Sequence, residues 1–93
     1  MEANIISVST STQAQTLNLI ANEVKTINIG QFASRALLYG GEEDMFIEIG
    51  SNPEITEGSY KLVAHAIADV AIQPTDILAA RTLTGNGVLT ICY

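Results

Sequence analysis

Period-two alternation of apolar and polar residues, broken at short intervals by turn formers, is the feature that most limits what this chain can become. Its plainest instance lies between Ser34 and Gly50. There Met45, Ile47 and Ile49 share one face of an extended segment and Phe46 and Glu48 the other, behind a second apolar run, Ala36-Leu37-Leu38-Tyr39. Gly40-Gly41 admits positive φ at little cost, and the connector from Gly40 to Asp44 has a length suited to a hairpin. The expectation is a central antiparallel hairpin that directs Met45, Ile47 and Ile49 into the core.

The same pattern recurs along the chain. Leu17 and Leu19 alternate in Thr16 to Ile20, Ala21-Asn22-Glu23 supplies a turn, and Lys25 to Ile29 alternates again before Gly30. Gly50 to Glu54 is dense in turn residues, and Ile55 to Ser59 continues as loop. Leu62 to Ala68 is apolar on both faces, which fits a buried strand or a short helix; strand is preferred because its neighbours are strands, with a second short strand from Asp69 to Gln73 ending at Pro74. Residues 76–82 admit a strand or a helical turn capped by Thr75 or Asp76. Leu83-Thr84-Gly85-Asn86-Gly87 reads as a hairpin, with Asn86-Gly87 suited to positive φ, and Val88 to Tyr93 forms the last strand. Strand centres fall near 18, 27, 37, 47, 63, 79 and 90. The expected fold is therefore all-β, an antiparallel β-sandwich or jelly-roll-like barrel of about seven to eight strands. Residues 16–93 form one sandwich domain in this reading, and residues 1–15, with Ile5-Ile6-Ser7-Val8 before an uncharged polar run, form either an arm or an edge strand with its loop.

A chain of 93 residues buries only roughly 60 to 65 per cent of its unfolded surface. With no Trp, two Phe and three Tyr, the core must be aliphatic, so burial against copies or a partner would add to it. Ten acidic residues against four basic ones leave a net charge of −6, which repels nucleic-acid phosphates and anionic membrane surfaces. No apolar run approaches a membrane span, and the start, Met1-Glu2-Ala3-Asn4, lacks the pattern of a secretory signal. Cys92 is the single cysteine, so no intramolecular disulfide forms, and synthesis in a reducing cytoplasm is expected.

No catalytic constellation is found. Glu42, Glu43 and Asp44 point in diverging directions and read as a solvated turn in preference to a calcium loop, so chelation should cost no stability. His65 stands alone in an apolar run and reads as structural; Cys92 has no basic neighbour to acidify it and reads as an inert small hydrophobe. The glycine pairs lack the Lys and helix of a phosphate loop. Arg35 and Arg81 lie in apolar strands and are expected in ion pairs, within the fold or at an interface.

The runs Ile29 to Gly40, Met45 to Gly50 and Gly87 to Ile91, taken together, resemble the layout of small structural proteins of tailed bacteriophages, across about residues 24–93. The resemblance implies a capsid decoration or cement protein: a β-sandwich or jelly-roll body, commonly a homotrimer, that sits on the virion surface, clamps adjacent major capsid subunits and performs no chemistry. Made in the host cytoplasm, it would use no cofactor and bind neither nucleic acid nor membrane. Candidate contact residues are Ile5, Ile6 and Val8 of the arm, Asn52 and Glu54 of the loop from Ser51 to Ser59, and Arg35 and Arg81. The alternatives are a tail or receptor-binding accessory module that recognises a host surface, which the scarcity of aromatics disfavours, and, last, an enzyme.

Overall fold

A computed structural model describes residues 13–93. Eight strands are present among them: β1 (Ala14–Leu19), β2 (Lys25–Ile27), β3 (Arg35–Tyr39), β4 (Met45–Gly50), β5 (Tyr60–Leu62), β6 (Ile67–Ala71), β7 (Ile77–Thr82) and β8 (Gly87–Cys92), with a 3-10 turn at Ile29–Gln31 between β2 and β3. The strands form two antiparallel sheets, ordered β1-β8-β3-β6 and β2-β7-β4-β5. Successive strands therefore change sheet at every step except β4 to β5. This is the double-sheet order of a jelly roll.

Alternation builds the core as expected. Met45 and Ile47 of β4 are buried and Ile49 packs beside them; from the facing sheet come Leu19, Ala36, Leu38, Leu89 and Ile91, and Leu62, Leu78 and Ala80 complete the layer. Each fully buried Leu or Ile contributes about 1.5–3 kcal/mol relative to exposure, so the dozen residues of this cluster dominate the favourable side of folding. β7 is buried on both sides because Ala79, on the outer face, lies between Thr26 and Glu48 of its two neighbours. Small alanines at the centre of a sheet erase the alternation there, and the segment settles as strand from Ile77 to Thr82.

Four expectations are corrected. The stretch from Ser34 to Gly50 is not a hairpin: β3 pairs with β6 and β8, β4 pairs with β5 and β7, and the connector at Gly40 to Asp44 crosses between sheets. The segment from Leu83 to Gly87 likewise crosses from β7 to β8, with positive φ at Gly85 in place of Asn86-Gly87. Gly87 belongs to β8, where a Cβ would fall 2.9 Å from the Thr82 methyl, Cγ2. Finally, Leu62 to Ala68 is no single strand. It holds the end of β5, a turn with His65 at φ 67°, and the start of β6. Hydrogen bonds explain the turn: the His65 amide donates to the Gly41 carbonyl at 2.7 Å and the Ala64 amide to Asp44 Oδ1 at 2.7 Å. The second alternating segment also ends early, at Ile27, because Ile29 enters the 3-10 turn and is buried there.

The inter-sheet connectors are tied to one another at both ends of the sandwich. At one end, Asp44 holds the β5–β6 turn and its carbonyl accepts from the Leu83 amide at 3.2 Å, while Asn86 Oδ1 accepts from the Ala21 amide at 3.0 Å. At the other, the Gly30 amide donates to the Asp76 carbonyl at 2.9 Å and the Ile72 amide to the Ser34 carbonyl at 2.9 Å. Gly30 has no room for a side chain: a Cβ there would sit 2.4 Å from the Gln73 carbonyl oxygen and 2.5 Å from that of Pro74. β1 starts at Ala14, within the segment 1–15 read as an arm or an edge strand with its loop, and Gln13 just before it exchanges backbone hydrogen bonds with Tyr93.

Candidate interaction surface

The strand order leaves β5 and β6 as neighbouring sheet edges on one long side of the sandwich, and the sequence places apolar side chains there that the core does not use. Tyr60 is 58 per cent exposed and Ile67 64 per cent, and Val63 in the turn between the two strands is exposed as well. Between the edges opens a groove of about 430 Å³ with a floor of Leu38, Ile47, Ile49, Ala68 and Val70. Tyr60 stands at its mouth, because it lies opposite Ile47 and so shares the inward face of its sheet, yet no strand lies beyond β5 to cover it. Glu48 and Asp69 complete the lining. An apolar floor with a few polar groups on the rim is the common composition of a ligand-binding site.

Arg35 fulfils its expected role in part. Its Nε and a terminal guanidinium nitrogen donate to the two Asp69 carboxylate oxygens at 2.9 and 2.7 Å, a bidentate pair across β3 and β6. The hydrogen bonds from Arg35 hold the Asp69 carboxyl below the usual carboxylate range, and those same bonds raise the already high Arg35 pKa. Both groups are solvent-exposed, so the pair neutralises the β6 edge more than it stabilises the fold. Arg81 forms no ion pair among the described residues, so of its two expected settings the pairing within the fold is not the one found. Its guanidinium lies over the Phe46 ring, 5.5 Å from the centroid, and its buried Nε has no hydrogen-bond partner. The two face each other in the β4–β7 register on the outer side of their sheet.

Asn52 and Glu54 are exposed in the loop from 51 to 59, whose return is shaped by Ser59, its Oγ accepting from the Thr56 amide at 2.9 Å. Ile5, Ile6 and Val8 lie outside the described residues. The structure thus brings Arg35 to the β6 edge and leaves Arg81 on the opposite sheet. Sequence reasoning did not assign Ile67, Ala68 and Val70 to a site. The signal for Ile67 and Ala68 was present in the largely apolar run 62–68, which a two-sided core strand and a one-sided edge both produce.

The acidic turn has a structural use: Asp44 accepts from Ala64, Glu43 packs against Gly85 and Gly87, and Glu42 is exposed. Among the described residues no group of three or more His, Cys, Asp or Glu side chains is placed to hold a metal ion. His65 is exposed, with Nδ1 3.3 Å from the Tyr39 hydroxyl, and Cys92 is a half-buried free thiol. No helix among the described residues is long and apolar enough to cross a membrane. No family model, curated protein or solved structure matches the chain.

Proposed function

We propose that this chain is a non-enzymatic structural virion protein that binds the outside of a tailed-phage capsid and reinforces the assembled shell. The observation that carries the reading is the strand order, β1-β8-β3-β6 against β2-β7-β4-β5, an architecture that viral capsid proteins, lectin domains and cupins share. That support is analogy at the level of the fold. It joins the resemblance of residues 29–50 and 87–91 to small phage structural proteins and a margin that presents apolar side chains, Tyr60, Val63 and Ile67, to solvent. The loop from 51 to 59, with Asn52 and Glu54, is assigned to the capsid contact.

The mechanism is linkage. A clip that binds the assembled lattice and not the free subunit shifts the equilibrium toward the lattice, by about 2.7 kcal/mol per site when free clip is a hundredfold above its Kd. Many sites per shell multiply the effect without any bond being made or broken. The test is sedimentation with expanded capsids of the phage that encodes the chain, stripped of their surface proteins. The chain should pellet with intact shells and raise the temperature at which they rupture, and should not bind isolated capsid subunits. A chain that stays in the supernatant overturns the proposal. Tyr60, exposed beside the groove, favours one competing reading, a module that recognises a host-surface glycan or protein. Binding to host cells by the purified chain, without binding to shells, would select it.

A further inference from the structure

Edge strands in stable proteins usually carry a device that stops further pairing: a short length, a Lys, a Pro, a bulge or an inward charge. β2 has one, since Lys25 lies opposite Ala80 on the inward face and is held by Glu23 at 2.8 Å. β5 is three residues long and includes Lys61. β6 has none of these. It runs five residues, Ile67 to Ala71, and its one charge, Asp69, is already neutralised by Arg35. The groove lies directly beside it, so a strand laid along β6 could send every second side chain between the sheets.

The sequence before the described residues contains a match for that geometry. In Asn4-Ile5-Ile6-Ser7-Val8-Ser9, Ile6 and Val8 are two positions apart, and none of the six side chains is charged, which suits contact between copies of a chain of net charge −6. This segment leads into β1, which sits at the opposite edge of the sheet from β6, three strand spacings or about 14 Å away. The registers make β1 antiparallel to β6. A segment folding back from β1 to reach β6 of its own chain would therefore run parallel to β6, the weaker pairing. Its tether, Ser9 to Thr12, bridges five residue steps, at most about 17 Å fully extended, short of the four strand spacings, about 19 Å, from β1 to a strand added outside β6.

A second copy has neither constraint. We propose that Ile5 to Val8 of a second copy adds to β6 as an antiparallel fifth strand, placing Ile6 and Val8 in the groove. The contact joins two different surfaces, so it gives a discrete oligomer when the rotation between copies closes a ring. It involves no capsid, and its test therefore stands or fails separately from the proposed function.

The test is sedimentation velocity on the full chain and two variants, with circular dichroism as the check on folding. The full chain should form a discrete, concentration-dependent oligomer. Ile6→Asp with Val8→Asp should lose it and return to the 9.9 kDa monomer, as should Ala68→Arg, which fills the groove. Mixing the two variants should restore a complex of two chains, because one still offers a groove and the other a strand. An excess of synthetic peptide of residues 1–12 should dissociate the wild-type oligomer, a measurement that needs no variant to fold. A monomeric full chain overturns the proposal and indicates docking within one chain or none. An oligomer that survives both variants and the peptide overturns it in favour of contact through another face.

Discussion

At the inter-sheet connectors, amides and carbonyls of different loops find one another and Gly30 is pressed against a neighbouring backbone; along the β5–β6 margin, Tyr60, Val63 and Ile67 face solvent beside an open apolar groove. The two regions divide the labour of a small domain. Connectors in a jelly roll join strands that do not pair with each other, so the loops must supply the hydrogen bonds that a hairpin would supply through its strands. The margin has no such task. Its apolar residues contribute little to the fold and remain free for contact with another surface.

If that division is correct, substitutions should sort by region. Gly30→Ala is the most severe, because the added Cβ meets two backbone carbonyl oxygens that cannot rotate away. It should cost about 2–3 kcal/mol, or roughly 10–20 °C in melting temperature for a domain of this size. Asp44→Ala removes the acceptor of the part-buried Ala64 amide and should cost about 1–2 kcal/mol by urea denaturation. Asn86→Ala breaks an exposed bond to Ala21 and should cost about 0.5 kcal/mol on the same curve. Tyr60→Ser and Ile67→Thr, although each removes a large apolar side chain, should stay within about 0.5 kcal/mol of the parent. A loss at the margin equal to that of Asp44→Ala would erase the distinction.

The smallest effect concerns the Arg35–Asp69 pair. The Asp69 pKa is lower in the folded chain than its ordinary 3.8, so its contribution is present above that value and is lost as the pH falls through the lowered one. Comparing Asp69→Asn with the parent, the difference in melting temperature should be slight near neutrality and should vanish in strong acid. A difference that grew on acidification would have the wrong sign.

Which side chains face inward was legible from alternation alone: Met45, Ile47 and Ile49 lie as their spacing implied. Which strand each one pairs with was not. Gly40 to Asp44 has the composition of a hairpin loop, but its path is decided by Asp44 bonding to Ala64 twenty residues later, an interaction that no local pattern encodes. The break at His65 was hidden for the same reason, since a non-glycine residue with positive φ inside an apolar run depends on a bond to Gly41 in another connector. The place of Arg81 was not legible either: charge suggested an ion pair, and within the chain the β4–β7 register sets it over Phe46. The margin was the least visible, because whether a strand is central or at an edge is a property of the whole sheet order.

The division between connectors and margin is tested most directly by amide hydrogen exchange on the full chain at high and low protein concentration. Exchange at residues 40–44 and 83–86 should be unchanged by dilution, while that of Ile67 to Ala71 should speed up as copies separate. Exchange along β6 that ignores concentration, or connectors that lose protection together with it, would contradict the account.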